Sequence, residues 1–278
     1  MVADYEGENI RRKVIPGALV STGIPKIMGI VNVTPDSFHA ESRFGDVERG
    51  IAMWESGATW IDVGGESTRP NAEQVGIEEE RSRVIPVIKG LRGSNPDGFI
   101  SVDTRHVEVA KAALDAGADM INDVSGLRDP EMFELVVNSG CAVCVMHMQG
   151  NPENMQVNPS YVDAFSEVSE HLENVANKLV ARGHPANMIC LDPGIGFGKN
   201  LQHNLDLLKA PISENYPTLW GVSRKSIIGM LTETPNPADR LPGTIASSIH
   251  AMRLGIDILR VHDVSENIEA LKMYSELR

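Results

Sequence analysis

The sequence predicts an α/β fold, a single (β/α)8 TIM barrel with a short N-terminal extension. Short apolar runs alternate with amphipathic stretches eight times without a break in composition, and such alternation builds parallel strands joined by crossovers. Each run ends in polar or charged residues, which a barrel gathers on one rim. The 278 residues also suit a barrel, typically about 250 residues. An open doubly wound sheet is the alternative, and it needs no eighth unit.

Residues 1–26 show little periodicity and are punctuated by Pro16-Gly17 and Pro25, which predicts an arm or short hairpin ahead of a barrel spanning 27–278. From there the predicted strands are Ile27–Val31, Thr59–Val63, Phe99–Val102, Met120–Ile121, Cys141–Met146, Met188–Leu191, Thr218–Val222 and Ile256–Val261. Their apolar character on both faces fits strands covered by helices outside and packed side chains inside. The predicted helices are Asp46–Ser56, Glu78–Leu91, Val107–Ala116, Glu131–Asn138, Tyr161–Arg182, Ala238–Arg253 and Val264–Leu277. Two connections are long, Thr34–Gly45 and Glu66–Ile77, and long loops at an active rim commonly act as lids.

A net charge of −13 with no basic block argues against nucleic acid or an anionic membrane as partner. No apolar run approaches the roughly 20 residues of a membrane helix, and the acidic start Met1–Glu8 lacks the features of a signal peptide. A cytoplasmic protein is expected. Cys141, Cys144 and Cys190 fall in apolar runs and read as inert buried thiols; the first two, three apart on a strand, face opposite ways.

The sixth strand carries the strongest local signal. Met188–Leu191 ends in Asp192, and the following loop holds Gly194, Gly196 and Gly198 with Phe197 and Lys199. Glycines let backbone approach a flat ligand, while Phe197 offers a stacking face and Lys199 a cation. The spacing is wrong for a Walker loop, which needs four residues between its first Gly and Gly-Lys and a hydroxyl residue after.

The other strand ends divide by charge. Asp103, Asn122 and Asp192 offer acceptors, with amide donors from Asn122, and suit a heterocycle bearing adjacent N–H groups. Arg260 and His262 alternate along the eighth strand and so point the same way, and with Arg69 and Lys225 they form a candidate anion pocket. An ion pair of the eighth-strand residues with Asp263 is the competing reading. Asp36 and Phe38, in the first long loop, are candidates to support a cation and cover an aromatic ring.

Seven runs carry a family resemblance: Met28–Phe38, Asp62–Pro70, Ser101–Thr104, Ile121–Val124, Leu191–Lys199, Ser223–Ser226 and Arg260–Val264. Together they closely resemble the dihydropteroate synthases, in the right order from residue 27 to about 275. The resemblance implies condensation of p-aminobenzoate with 7,8-dihydropterin-6-ylmethyl diphosphate in folate biosynthesis. It implies that Asp103, Asn122, Asp192 and Lys225 hold the pterin, and that Thr68, Arg69, Arg260 and His262 take the diphosphate. It places Phe38, Pro70, Phe197 and Ser226 around p-aminobenzoate, the family's sulfonamide site, with Asn32 toward a Mg2+ ion. Lys225, Arg260, His262 and Asp36 are the implied catalytic residues. A homodimer follows from the same resemblance. The chain departs from the family's usual pattern at His39–Ser42, where Glu41 is the expected substitute for a missing acid, and at Asn71 and Gln74. A folate-dependent methyltransferase on the same barrel is disfavoured, because no Asp-x-His-x-x-Gly motif is present.

Overall fold

A computed structural model describes residues 14–33, 40–66, 75–151 and 154–278, without the side chains of 40–44. Residues 14–19 are helical (α1), so the described part of the N-terminal extension is a helix rather than an extended arm. The chain then runs β1 (Lys26–Asn32), α2 (Ala40–Glu55), β2 (Trp60–Gly64), α3 (Ile77–Ser94), β3 (Phe99–Asp103), α4 (Val107–Asp115), β4 (Met120–Asp123) and α5 (Pro130–Ser139). The second half is β5 (Ala142–Met146), α6 (Ala164–Ala181), β6 (Ile189–Asp192), α7 (Leu201–Leu207), β7 (Leu219–Trp220), α8 (Ser226–Thr232), α9 (Leu241–Leu254), β8 (Ile258–Val261) and α10 (Val264–Leu277).

The strands lie in the order β6-β5-β4-β3-β2-β1-β8-β7, and every paired strand is parallel. A parallel bridge between Leu191 and Thr218 joins the two ends of that row and closes the barrel. Burial drives it. Outward-facing strand residues such as Val31, Ile61, Val63, Ile121 and Val143 pack under the helices in the large outer core. Inward-facing Met28, Trp60, Met120, Ala142, Cys144, Cys190, Leu219 and Ile258 form a second, separate cluster with Ile15, Ala18 and Leu19 of α1. The helix therefore plugs the N-terminal end of the barrel, and Trp60 Nε1 donates to Ala18 O at 2.9 Å to seat it. Burying each large apolar side chain contributes roughly 1.5–3 kcal/mol.

Several elements differ from the sequence reading. α2 begins at Ala40, so the first long connection is shorter than Thr34–Gly45. The stretch Ala238–Arg253 is preceded by the separate helix α8, and α7 stands where no helix is predicted. β7 contributes only Leu219 and Trp220 of the apolar run Thr218–Val222, because Gly221 and Val222 leave the ladder for the loop that carries Lys225. The three cysteines are free and buried, with Cys144 beside Cys190 across β5 and β6.

Candidate active site

Two residues beyond the apolar inner layer, the inward-facing positions of β2, β4, β6 and β8 turn polar. Trp60 is followed by Asp62, Met120 by Asn122, Cys190 by Asp192 and Ile258 by Arg260, since every second strand residue faces one side. On β3 the inward pair is Ser101 and Asp103. These residues meet at the C-terminal mouth of the barrel, opposite the α1 plug.

Arg260 organises the mouth. Its Nε donates to Asp62 Oδ2 at 2.6 Å and its Nη2 to Asp103 Oδ2 at 2.5 Å. Burial works against the Arg260 charge, but Asp62 and Asp103 outweigh it and hold its pKa above the ordinary value. Asn122 Nδ2 donates to the same Asp62 oxygen at 3.3 Å. Burial pushes Asp103 above the usual carboxylate range despite the pull of Arg260, with Asp62 adding repulsion. The competing pair of Arg260 with Asp263 is not formed, because Asp263 binds Arg224 instead. His262, two residues beyond Arg260, has its Nδ1 at 3.0 Å from Ser223 Oγ.

Asp192 and Lys225 close the other side. Asp192 Oδ1 accepts from Gly194 N at 2.7 Å, and burial raises its pKa even with Lys225 opposing. Lys225 is the N-cap of α8, yet its side chain makes no capping bond. It turns inward, and its Nζ donates to Ile195 O at 2.5 Å. Burial lowers its pKa to about 8, with Asp192 resisting and Arg260 assisting. Arg224, with φ of 57°, makes the sharp turn that aims the next residue inward. A Cβ on Gly221 would stand 3.7 Å from Lys225 Nζ and 4.0 Å from both Asp192 Oδ2 and Arg260 Cβ. Glycine there leaves a floor between an acid and two cations.

The glycine-rich loop after β6 is shaped by close approach. A Cβ at Gly194 would lie 1.9 Å from His147 O, so only glycine fits. The Phe197 ring lies 4.7 Å from Lys225 Nζ and packs on Val124, Met146, Met148 and Met155. Lys199 is a correction: it does not face a ligand. It is 3% exposed, and its Nζ donates to Phe197 O at 2.8 Å, Gly194 O at 3.1 Å and His147 O at 3.3 Å, with His147 Nδ1 at 3.1 Å.

The structure thus brings Asp103, Asn122, Asp192, Lys225, Arg260, His262 and Phe197 around one mouth. Ser226 is exposed at the start of α8, and Asn32 is exposed at the end of β1 beside Gly64. Asp36, Phe38, Thr68, Arg69 and Pro70 lie outside the described residues, as do His39, Asn71, Gln74 and the side chain of Glu41. Sequence reasoning named Asp62 only as the start of the run Asp62–Pro70 and gave it no role. Its signal was available, because it is a carboxylate two positions after an inward Trp60 within an apolar run.

Residues 28–262 match the family model described as pterin binding enzyme. The chain is 43% identical to the dihydropteroate synthase of Escherichia coli, over 92% of this chain and 93% of that one. The chain belongs to the dihydropteroate synthase family of pterin binding enzymes. Two solved members superpose closely. The Yersinia pestis dihydropteroate synthase, in a sulfonamide drug complex, gives a TM-score of 0.86 at 40% identity, covering 93% of this chain and 96% of that one. The Burkholderia cenocepacia dihydropteroate synthase, complexed with 7,8-dihydropteroate, gives 0.84 at 39% identity, covering 93% of both chains. The family's barrel is therefore this chain's barrel.

Proposed function

We propose that this protein is a transferase that joins p-aminobenzoate to 7,8-dihydropterin-6-ylmethyl diphosphate, giving 7,8-dihydropteroate and diphosphate. The observation that carries the reading is the convergence of Asp103, Asn122 and Asp192 with Lys225 and Arg260 in one barrel mouth. Acids and an amide suit the N–H-rich edge of a pterin, and paired cations suit its diphosphate tail.

The chemistry is a displacement at the pterin methylene. The C–O bond breaks and its electron pair leaves with diphosphate; the aniline nitrogen forms the C–N bond and its proton passes to solvent. The pterin ring spreads the positive charge that develops on the methylene. Asp103, Asn122 and Asp192 would hold the ring edge, and Lys225 would donate to it from across Gly221. Among the described residues Arg260 Nη1 carries no hydrogen bond, so it is available to the leaving group, and His262, Thr68 and Arg69 are assigned there by family likeness. Donors fixed in advance stabilise departing charge better than reorienting water does. The weakly basic amine attacks a cationic centre, so positioning matters more than proton abstraction. Phe197 and Ser226, with Phe38 and Pro70, are assigned to the aminobenzoate subsite, where a sulfonamide would compete.

For Mg2+, the fit rests on Asn32, an exposed residue at the end of β1. Mg2+ favours a few hard oxygen ligands completed by water and phosphate, and one amide oxygen on the rim, with Asp36 as a candidate companion, suits that demand. When bound, the ion supplies charge neutralisation to the departing diphosphate. The reading also includes a homodimer in the cytoplasm. Among the described residues no helix is long and apolar enough to cross a membrane.

The test is to incubate the pure protein with both substrates, with and without Mg2+, and to follow diphosphate release. Dihydropteroate formed in equal amount, suppressed by a sulfonamide, supports the reading. Pterin binding without diphosphate release overturns it, and light scattering on the same sample decides the homodimer.

A further inference from the structure

We propose that Lys199 is a positioning residue for pterin capture: its buried amine folds the Gly194–Gly198 loop around itself and so aims Ile195 O and the Phe197 ring at Lys225. The loop has to satisfy its own backbone while bending through three residues of positive φ, Gly194 at 66°, Gly196 at 86° and Gly198 at 63°. That bend turns Gly194 O and Phe197 O toward the inside of the loop, where Gly194 O accepts from Phe197 N at 3.0 Å and Phe197 O would depend on a side-chain donor. Lys199 fills that inside, with Nζ within 3.3 Å of both carbonyls, of His147 O and of His147 Nδ1. An ammonium has three N–H donors, enough for the loop carbonyls on one side and His147, at the end of β5, on the other. The next residue, Asn200, starts α7 with a reciprocal capping bond to His203, so the lysine backbone is held while its side chain turns back.

The outer face of the same loop meets the pterin site. Ile195 O accepts from Lys225 Nζ at 2.5 Å, and Phe197 lies 4.7 Å from that nitrogen. Between the two lysines stands one short turn of backbone, so a shift of the inner amine moves the carbonyl and ring that set the outer one. Stability alone is a poor reason for this arrangement. No carboxylate lies within ion-pair distance of Lys199 among the described residues, and burial lowers its pKa to about 7 even with Asp192 pulling the other way. A buried cation without a direct counter-ion costs stability; what it secures here is one loop shape.

The inference rests on the reading of the protein as a dihydropteroate synthase, and the experiment separates the two. Calorimetry with 6-hydroxymethylpterin is run on the full-length wild type, Lys199→Met, Lys225→Gln and the double variant, with melting temperatures recorded for each. Lys199→Met is expected to weaken pterin binding at least tenfold while remaining folded at the assay temperature. In the Lys225→Gln background the same change is expected to cost less than threefold, because its effect runs through Lys225. Lys199→Gln, which keeps one donor group, recovers part of the loss and also serves if Lys199→Met does not fold. Wild-type affinity in both Lys199 variants, or losses that multiply in the double variant, overturns the proposal. A wild type that binds no pterin overturns the function reading instead.

Discussion

The two ends of the barrel interior are built from the same strands and differ in almost everything else. At the N-terminal end, Met28, Trp60, Met120, Cys190 and Ile258 pack against α1 in a closed apolar plug. One inward step further along, Asp62, Asn122, Asp192 and Arg260 follow Trp60, Met120, Cys190 and Ile258, while Ile30 follows Met28. The plug gains from burial; the mouth works against it, since burial raises the pKa of Asp192 and lowers that of Lys225 to about 8. Asp62 Oδ1 is buried without a hydrogen-bond partner, which also costs free energy. The difference teaches that one end stabilises the fold while the other holds charges in readiness for a ligand that completes them.

Substitutions should therefore separate cleanly. The largest effect belongs to the plug: Trp60→Ala removes a fully buried ring and its bond to Ala18 O, and is expected to destabilise by about 3–5 kcal/mol. Denaturant unfolding measures it, with the KM for the pterin diphosphate unchanged where the variant is folded. A large rise in KM would mean that the two ends are not independent. Next is Asp192→Asn, which leaves an amide where the proposed pterin contact needs acceptors for two N–H groups. We expect at least a hundredfold loss of pterin affinity by calorimetry with a melting temperature no lower than that of the wild type, because a buried charge has been removed. Retained micromolar binding would remove Asp192 from the site.

Much of this layout could be read from the sequence, for a physical reason. Parallel strands covered on both faces must be apolar almost throughout, so the eight runs stood out, and the acids and bases that end them marked the mouth. Other features were hidden by their dependence on distant partners. Asp62 meets Arg260 198 residues away in sequence, and the separation leaves no local trace. α7 has seven residues, too few for a periodic stripe, although its Asn200–His203 capping box was a readable start signal. The direction of Lys199 was unreadable because three left-handed glycines set it. α1 was missed because six helical residues at 14–19 carry less pattern than the contact that stabilises them.

A smaller effect distinguishes positions within the mouth. Arg260→Ala should weaken the pterin diphosphate by roughly 1.5–3 kcal/mol more than the free pterin, the range for a hydrogen bond to a charged group. Competitive binding of the two ligands measures the difference. Equal losses would show that Arg260 serves only to hold Asp62 and Asp103 in place.

The smallest effect is a titration that sets the two ends against each other. Lys225, with a folded pKa of about 8 against an ordinary value of 10.5, loses its proton in the free enzyme as pH rises through about 8. The groups around it are Asp192, Asp103, Arg260 and the Phe197 ring, with Lys199 beneath the loop; burial brings both Asp103 and Lys199 to about 7, which leaves Lys225 as the group of this cluster that titrates near 8. The kcat/KM for the pterin diphosphate reports the free enzyme and should fall about tenfold per pH unit above that point. Lys225→Arg, which stays charged, should move the limb to higher pH even if its plateau is lower. Stability runs the other way. Between the folded and unfolded pKa values the unfolded chain binds the extra proton, so this lysine contributes a rise in unfolding free energy as pH increases from about 8 to 10.5. The pH dependence of wild-type stability minus that of Lys225→Met isolates the contribution. Were that difference flat while activity still fell, the alkaline limb would belong to another group, and the mouth would not hold its lysine at the expense of the fold.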